Sequence, residues 1–430
     1  MTDQLGLPFN QPYLIGVLLA VGAIADAHLV VDGPGCLLAK AQLIHGPHDL
    51  GCTLLDCAGP HRVDFTGVDV DRLASDIEAQ VLGRLQHGAR QQQVGVVLLS
   101  ALPMCEILGT DYERLAQQAR SQMAEPVLVV PGRSLSEDWL AGYGAVLRAL
   151  ASGLELSPPA PRPDAVAVVG YFMDRNEGDH RGNVAAIATM LQALDLDLVS
   201  LWLSGSTVEQ LRSVRHAETI LSLPHGREAA ATLARRLDAR LVEVGLPFGL
   251  EGTRAWITDV AEATGRQQQL QAYLRRELDL AAGRLQWFIP QIFLERRFAF
   301  AGDPHYARPL AGLIEELGGQ LATMVLVGDE GHLSSDDRAA LEQICPVFFQ
   351  PRISRGQLPA ELGLDAEAID LAIATTDAKE VLHLPSPWVE WGYPSRFTHW
   401  PADEPFLGFD GCLRFVGRLS NALLHEASRR

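Results

Sequence analysis

The chain has 430 residues and a formal net charge of −18, and this acidity excludes nucleic acid as its main partner, because phosphate binding needs a basic surface. Hydrophobic residues make up 47% and charged residues 20%, which is typical of a globular protein with two or three domains at this length. No apolar run reaches about 20 residues, so no transmembrane helix is expected, and the start of the chain lacks the pattern of a signal peptide. The six cysteines are therefore expected to be reduced thiols, core residues or metal ligands rather than disulfides.

Short apolar segments rich in Val, Ile and Leu alternate along the chain with amphipathic segments. Buried strands are predicted at 27–33, 94–102, 126–132, 165–171, 196–203, 218–224, 240–247, 296–303, 323–329, 370–376 and 387–394. Helical patterns lie between them, for example at 183–194, 227–238 and 306–319. Strands that alternate with helices predict βαβ units, and therefore an α/β fold with parallel sheets.

Two features of the sequence divide this pattern into domains. Residues 157–163 read SPPAPRP, a proline-rich linker that is extended and unsuited to a helix. A long helical stretch at 266–288 precedes a fresh strand. We predict three doubly wound, Rossmann-like domains at residues 1–156, 164–285 and 286–430.

Several familiar catalytic and nucleotide-binding motifs are absent from the sequence. The segment GPGCLLAK has neither the spacing nor the hydroxyl residue of a P-loop, and no G-x-G-x-x-G opens a helix after a strand. No G-x-S-x-G elbow, H-E-x-x-H or C-x-x-C occurs either. The chain therefore shows no sign of hydrolysing a nucleotide itself.

Cysteine and histidine residues follow four of the predicted strands, where ligands bind in open parallel sheets. These residues are Cys36, Cys105, His225 and His399. Thiolates favour iron–sulfur clusters or zinc, and imidazole suits many transition metals. Gly33 and Gly35 precede Cys36 in the turn VDGPGC, where glycine lets the backbone approach a bulky ligand. The alternative is a strand-to-helix turn followed by a core cysteine, since free cysteine is often buried.

Five stretches, taken in order, resemble the component 1 family of nitrogenase and nitrogenase-like reductases. They are VDGPGC and the segments 61–77, 102–115, 242–257 and 392–423. This family includes the dinitrogenase α and β subunits, their cofactor scaffold homologues, and the protochlorophyllide and chlorophyllide reductases. The resemblance implies three α/β domains, a homologous partner subunit in a heterotetramer or homodimer, and an iron–sulfur cluster (4Fe–4S or larger) at the subunit interface. It also implies a separate ATP-hydrolysing iron protein, which would account for the missing P-loop.

The resemblance carries cluster ligands onto particular residues of this chain. Cys36 and Cys105 match the second and third of the three cysteines that each dinitrogenase subunit supplies. Asn10 stands where the first cysteine is expected, and an amide is a poor iron ligand beside a thiolate. Cys52 and Cys57 are the nearest spare thiols, and the alternative for each is an ordinary buried residue. In the protochlorophyllide reductases, one subunit supplies a carboxylate in place of a cysteine.

The resemblance also suggests where a substrate or a second metal centre would lie. Aligning Arg227 with an arginine of the dinitrogenase α subunit puts His225 at its cofactor cysteine, and His399 falls one residue from the position of its cofactor histidine. The missing cysteine argues against a true dinitrogenase, and leaves either a different metal centre or a cavity for an organic substrate. The alternatives are a loop residue for His225 and a polar core residue for His399. Arg227, Lys379 and Arg396 are candidates to balance an anionic cluster or substrate, and Cys345 and Cys412 are expected in the core.

The sequence therefore predicts an oxidoreductase: the catalytic subunit of a two-component, nitrogenase-like reductase. Such low-potential chemistry needs an oxygen-poor compartment, so a cytoplasmic location is expected. A cofactor-assembly scaffold or non-catalytic partner subunit of the same family is the alternative. A metal-free α/β protein that binds a nucleotide-sugar or small metabolite is a third hypothesis, but it leaves the five ordered motifs unexplained.

Overall fold

The computed structural model describes residues 7–55, 61–67, 77–91, 93–353, 362, 369–384 and 387–427. The strands in these ranges are β1 (Leu7–Pro8), β2 (Ala27–Asp32), β3 (Val63–Phe65), β4 (Val96–Ala101), β5 (Val127–Val129), β6 (Ala165–Val169), β7 (Asp197–Leu201), β8 (Thr219–Ser222), β9 (Arg240–Glu243), β10 (Arg297–Gly302), β11 (Gln320–Leu326), β12 (Val347–Phe349), β13 (Arg352–Ile353), β14 (Leu371–Ala374) and β15 (Trp388–Glu390). All eleven predicted strands are present, and β1, β3, β12 and β13 are additional.

The helices alternate with these strands, as the amphipathic segments predict. They are α1 (Tyr13–Gly22), α2 (Cys36–Ile44), α3 (Ile77–Ala89), α4 (Pro103–Glu106), α5 (Tyr112–Arg120), α6 (Trp139–Gly153), α7 (Gly178–Ala193), α8 (Val208–Arg212), α9 (Arg227–Leu237), α10 (Gly249–Thr264), α11 (Gln267–Leu285), α12 (Ala307–Glu316), α13 (Ser335–Ile344), α14 (Thr376–Val381) and α15 (Gly408–Ala427). Within the described ranges, we find no helix with the length and apolarity that a bilayer crossing requires.

The first sheet is parallel, with strand order β3-β2-β4-β5. Its two central strands, β2 and β4, are buried along their whole length, as expected for apolar runs covered on both faces. The chain passes from β2 to β3 on one side and then to β4 on the other. The order therefore reverses between β2 and β4, and ligands of open α/β sheets bind beyond the carboxyl ends of strands at such a point.

The second sheet repeats this topology with the order β7-β6-β8-β9, again parallel throughout. The segments that leave its two central strands approach each other closely, because a Cβ atom on Gly226 would lie 2.4 Å from the Cα of Gly170. Gly170 also has a φ of +94°, which favours glycine. The turn after β8 is thereby held against the turn after β6.

The third sheet has five parallel strands in the order β12-β11-β10-β14-β15. Its order reverses between β10 and β14. A separate short antiparallel pair joins β1 to β13. The third sheet therefore has its own switch point, with the exits of β10 and β14 on either side of it.

The chain forms two compact units. One contains the described residues of Pro12–Asn176 and Leu196–Glu243, and with them the first two sheets. The other contains the described residues of 7–11, Glu177–Asp195 and 244–427, and with them the third sheet. The division into three domains at 1–156, 164–285 and 286–430 stays a prediction.

Candidate functional site

Cys36 lies at the switch point of the first sheet. β2 ends at Asp32, Gly33 turns the chain, and Cys36 is the first residue of α2, where it is exposed. Gly33 has a φ of +155°, and a Cβ atom there would lie 2.6 Å from the Leu102 side chain. Gly35 has an ordinary φ of −68°. The backbone conformation therefore favours glycine only at Gly33, although a Cβ atom on Gly35 would lie 3.2 Å from the Phe65 ring. The alternative of a core cysteine does not describe Cys36.

Cys105 follows β4, the strand next to β2 in the same sheet, and it is fully buried. It lies in the single turn of α4, packed with Ala101, Met104 and Tyr112. Burial raises the pKa of its thiol to about 12, with further contributions from the charge of Asp32 and a hydrogen bond to that carboxylate. Cys105 is therefore a protonated thiol in this environment.

The Asp32 carboxylate is fully buried and accepts hydrogen bonds from two hydroxyl groups. Thr66 donates to Oδ1 over 2.7 Å, and Tyr112 donates to Oδ2 over 2.7 Å. Thr66 Oγ1 also accepts the backbone N–H of Gly33 over 2.9 Å, so this N–H bonds to protein rather than facing a ligand. These bonds fix the turn that presents Cys36.

The remaining predicted ligands have different environments. Cys52 is buried, and burial raises the pKa of its thiol to about 11. Asn10 is half-buried, and its side-chain oxygen accepts the backbone N–H of Gln11 over 2.8 Å. Cys57 lies outside the described residues. Cys345 and Cys412 are buried, as expected of core residues.

His225 is buried in a short turn that follows β8. Its ring stacks on Phe172, with 4.9 Å between ring centroids and an interplanar angle of 22°. Phe172 also contacts Tyr143, whose hydroxyl bonds to the carbonyl of Tyr171 over 3.1 Å. The segments that follow β6 and β8 in the second sheet thus contribute to a cluster of aromatic rings that includes His225.

His399 lies in the loop that follows β15, and its Nδ1 is 2.8 Å from Oε1 of Glu177. Glu177 is buried, whereas the His399 side chain is 25% exposed. The preceding part of the loop is held by Glu390, whose buried carboxylate accepts the backbone N–H groups of Arg396 over 2.8 Å and Phe397 over 3.0 Å. The His399 imidazole lies on a well-anchored loop and is oriented by the Glu177 carboxylate.

The three predicted cations each bond within their own part of the fold. Arg227 donates to the carbonyl of Ser222, Lys379 donates to the carbonyl of Leu384, and Arg396 pairs with Asp377 over 2.7 Å. Burial lowers the pKa of both Arg227 and Lys379. Their assignment to a cluster or substrate stays a prediction.

A sequence profile described as nitrogenase component 1 type oxidoreductase matches residues 13–424. The chain belongs to the nitrogenase component 1 type oxidoreductase family. Solved structures share the fold: nitrogenase Cp1 at pH 6.5 has a TM-score of 0.79 at 16% identity, and the match covers 100% of this chain and 95% of its own. Nitrogenase Cp1 at pH 5 has a TM-score of 0.77 at 13% identity. The predicted α/β fold with parallel sheets, like nitrogenase component 1, is confirmed.

Curated relatives in this family carry two kinds of name. The light-independent protochlorophyllide reductase subunit N of Roseiflexus castenholzii is 24% identical over 77% of this chain and 74% of its own. Subunit N of Chaetosphaeridium globosum is 26% identical over 44% of this chain and 46% of its own. The nitrogenase molybdenum–iron protein beta chain of Clostridium pasteurianum is 24% identical over 52% of this chain and 49% of its own. The chain spans about half the length of four of the curated relatives that it matches.

The donors at the first sheet decide which iron–sulfur cluster this member of the family could hold. Cys36 is exposed at the switch point, as an interface ligand must be. Cys105 and Cys52 are buried thiols, and an amide occupies position 10. Among the described cysteines, Cys36 is therefore the exposed candidate ligand, and the ligand roles of Cys105, Cys52 and Asn10 stay predictions.

Sequence reasoning missed the residues that orient the candidate ligands. Asp32 was visible in VVDGPGC, but its hydroxyl partners Thr66 and Tyr112 come from elements 34 and 80 residues away. Glu177 was missed because it lies 222 residues from His399 in the chain. The available signal was its place in the loop between β6 and α7, another strand exit.

Proposed function

We propose that the protein is the catalytic-component subunit of a two-component, nitrogenase-like reductase in the cytoplasm. It accepts low-potential electrons from an ATP-hydrolysing iron protein, through an iron–sulfur cluster at the interface with a homologous component 1 subunit. The observation that carries this proposal is the exposed Cys36 at the switch point of the first sheet, in a chain that belongs to this family. A sequence without a P-loop is consistent with nucleotide hydrolysis on the partner.

The position of Cys36 suits a ligand to an anionic cluster. Cys36 is the first residue of the nine-residue helix α2, and the N–H groups at a helix N-terminus favour negative charge. Bound there, the cluster would supply one-electron transfer at low potential, tuned by its ligands, hydrogen bonds and burial. Ligand roles for Cys105, Cys52, Cys57 and Asn10 stay predictions, and the remaining ligands would come from the partner subunit.

The substrate would be an unsaturated organic molecule, such as the compound in the names of the protochlorophyllide reductase relatives. His225 and His399 stay separate candidates for substrate contact, each at a strand exit of its own sheet.

The test is anaerobic co-expression with the neighbouring component 1 gene, followed by iron and sulfide analysis and EPR. Wild-type protein should carry iron, sulfide and a low-potential EPR signal, and Cys36→Ala should lose that signal and most of the iron. Cys345→Ala is the matched control, because it removes a buried thiol far along the chain and should leave the iron content unchanged. Iron-free, sulfide-free wild-type protein in a folded complex would refute the proposal, as would unchanged iron in Cys36→Ala.

The buried Cys105 and the amide at Asn10 favour a second candidate function, a cofactor-assembly scaffold or non-catalytic partner subunit. With one exposed thiol among its described cysteines, the chain would hold a cluster without turning over substrate. Substrate-dependent ATP consumption with the iron protein separates the two functions. ATP use that stays uncoupled from reduction across the candidate substrates would favour the scaffold.

A further inference from the structure

Glu177 places its two carboxylate oxygens on two successive residues of the loop after β15. Oε1 lies 2.8 Å from Nδ1 of His399, and Oε2 accepts the backbone N–H of Trp400 over 2.8 Å. Glu177 is the N-cap residue of α7, yet its side chain does not cap that helix. Serine, threonine, aspartate and asparagine are the usual capping residues. A longer carboxylate that turns away from its own helix to reach an imidazole indicates a role at His399.

The loop that carries His399 is fixed to the same end of α7. The backbone N–H of Gly178 donates to the carbonyl of Trp400 over 2.8 Å, and Glu404 donates back to the carbonyl of Gly178 over 3.0 Å. A Cβ atom on Gly178 would lie 1.9 Å from the carbonyl oxygen of Ala402. The distance between Glu177 and His399 is therefore set by backbone contacts and not only by the two side chains.

This geometry determines the tautomer of the neutral imidazole. An ionised carboxylate only accepts hydrogen bonds, so Nδ1 of His399 must carry the hydrogen that it donates to Glu177. The lone pair then resides on Nε2. The His399 side chain is 25% exposed, so part of it is open to solvent or a bound molecule.

We propose that Glu177 is a positioning residue that holds His399 with its hydrogen on Nδ1, so that Nε2 delivers a proton to the substrate. This inference rests on the proposed reductase function. Reduction of one double bond takes up two electrons from the iron protein and two protons. The Nε2–H bond of the imidazolium breaks as one new bond to hydrogen forms on the substrate, water supplies the second proton, and the neutral ring regains its proton from water.

The exchange Glu177→Gln tests the tautomer with little change in shape. The backbone N–H of Trp400 can only donate, so the amide oxygen must remain with it. The amide NH₂ then faces His399 and requires Nδ1 to accept. Gln at this position therefore moves the imidazole hydrogen from Nδ1 to Nε2. Where a histidine tautomer decides catalysis, such a carboxylate-to-amide exchange lowers kcat by about 10⁴.

The first measurement is ¹⁵N NMR of histidine-labelled protein, with the His399 signals assigned from His399→Gln. Wild-type protein should show a protonated Nδ1 and an unprotonated Nε2 in the neutral ring, and Glu177→Gln should show the reverse. The matched control is Glu404→Gln, an equivalent exchange on the same loop whose carboxylate pairs with Arg414 over 2.7 Å. It should leave the tautomer unchanged. A wild-type ring with its hydrogen on Nε2 overturns the proposal, even if Glu177→Gln does not fold.

The second measurement is the reactivity of Nε2 itself, which needs neither substrate nor cluster. Diethyl pyrocarbonate acylates an unprotonated imidazole nitrogen, so peptide mass spectrometry should show His399 modified several-fold more slowly in Glu177→Gln than in wild type or Glu404→Gln. Equal rates in all three proteins would overturn the proposal.

The third measurement is reduction of protochlorophyllide, as the probe substrate, by protein reconstituted with the iron protein and ATP. Glu177→Gln and His399→Gln should lower the rate at least tenfold at unchanged iron and sulfide content. A reversed tautomer with an undiminished rate would refute the proton-delivery role. Wild-type protein without iron would instead refute the proposed function, while the NMR result would still decide the role of Glu177 in setting the tautomer.

Discussion

Asp32 is a buried carboxylate that affects the environments of Cys36 and Cys105. Its oxygens accept from Thr66 and Tyr112, and hydrogen bonds to a charged group each contribute about 1.5–3 kcal/mol to stability. Burial raises the pKa of the Cys105 thiol to about 12, and the charge of Asp32 and a hydrogen bond to it add to this rise. Asp32 thus fixes the turn that presents Cys36 and contributes to the raised pKa of Cys105.

These environments predict unequal thiol labelling by iodoacetamide in the folded, cluster-free chain. Cys36 should react fastest because it is exposed, whereas Cys105 is buried with a pKa of about 12. The thiolate is the nucleophile, and its population at Cys105 rises only as the pH approaches the pKa of about 12. Raising the pH from 7 to 9 should therefore leave the labelling of Cys105 slow. Peptide mapping measures both rates, and labelling in denaturant supplies the control. Equal rates for Cys36 and Cys105 in the folded chain would contradict the structure.

At this scale, the places of the two cysteines after their strands could be predicted, but the exposure of each side chain could not. Cys36 and Cys105 each come four residues after the last residue of their strands, so their sequence contexts look alike. One opens the nine-residue α2, and the other lies in the four-residue α4. The direction of each side chain depends on turn geometry and on Thr66 and Tyr112, which arrive from elsewhere in the chain.

Among the elements, strands with long apolar runs were predictable, whereas a three-residue strand and a helix buried on nearly every side were not. β3 has only Val63–Phe65, too few residues to show alternation, yet Thr66 directly follows it. α1 was missed because it is buried on nearly every side, so it lacks the polar face that marks an amphipathic helix. The predicted helix at 266–288 is present as α11, Gln267–Leu285.

The pair α1 and α6 depends on two glycines at its closest approach. A Cβ atom on Gly16 would lie 1.6 Å from the Trp139 carbonyl oxygen, and one on Gly142 would lie 2.1 Å from that of Tyr13. Gly16→Ala and Gly142→Ala should therefore each destabilise the fold by about 1–3 kcal/mol or more. Denaturant unfolding measures the free energy of each variant.

Gly83 is the matched control for these substitutions, because it lies within α3 with no atom within 4 Å of an added Cβ. Gly83→Ala should stabilise the protein by roughly 0.5–1 kcal/mol through helix propensity. If Gly16→Ala behaved like Gly83→Ala, the close helix contact would be wrong.

At the scale of the whole molecule, two exposed apolar side chains follow strands of the first sheet, the sheet that also leads into the predicted cluster ligand Cys36. Ile107 is 77% exposed and follows α4, and Leu135 is 78% exposed and follows β5. Their two loops are joined by a hydrogen bond from the N–H of Gly132 to Glu106 over 2.9 Å. Exposed apolar side chains on two joined loops are candidates for an interaction surface, so we test this edge as the place where the proposed component 1 partner would bind.

The double variant Ile107→Asp with Leu135→Asp should therefore weaken pairing with a co-expressed component 1 subunit. A buried charge at the centre of an interface costs on the order of 2 kcal/mol or more, which is roughly a thirtyfold rise in Kd. Both side chains are mostly exposed in the isolated chain, so its thermal unfolding midpoint should stay unchanged. Light scattering of the co-expressed proteins gives the assembly state. Leu280→Asp, at a 46% exposed position on α11, is the control and should assemble normally. Undiminished assembly of the double variant would place the partner on another face, and Cys36 would then need a different explanation for its exposure.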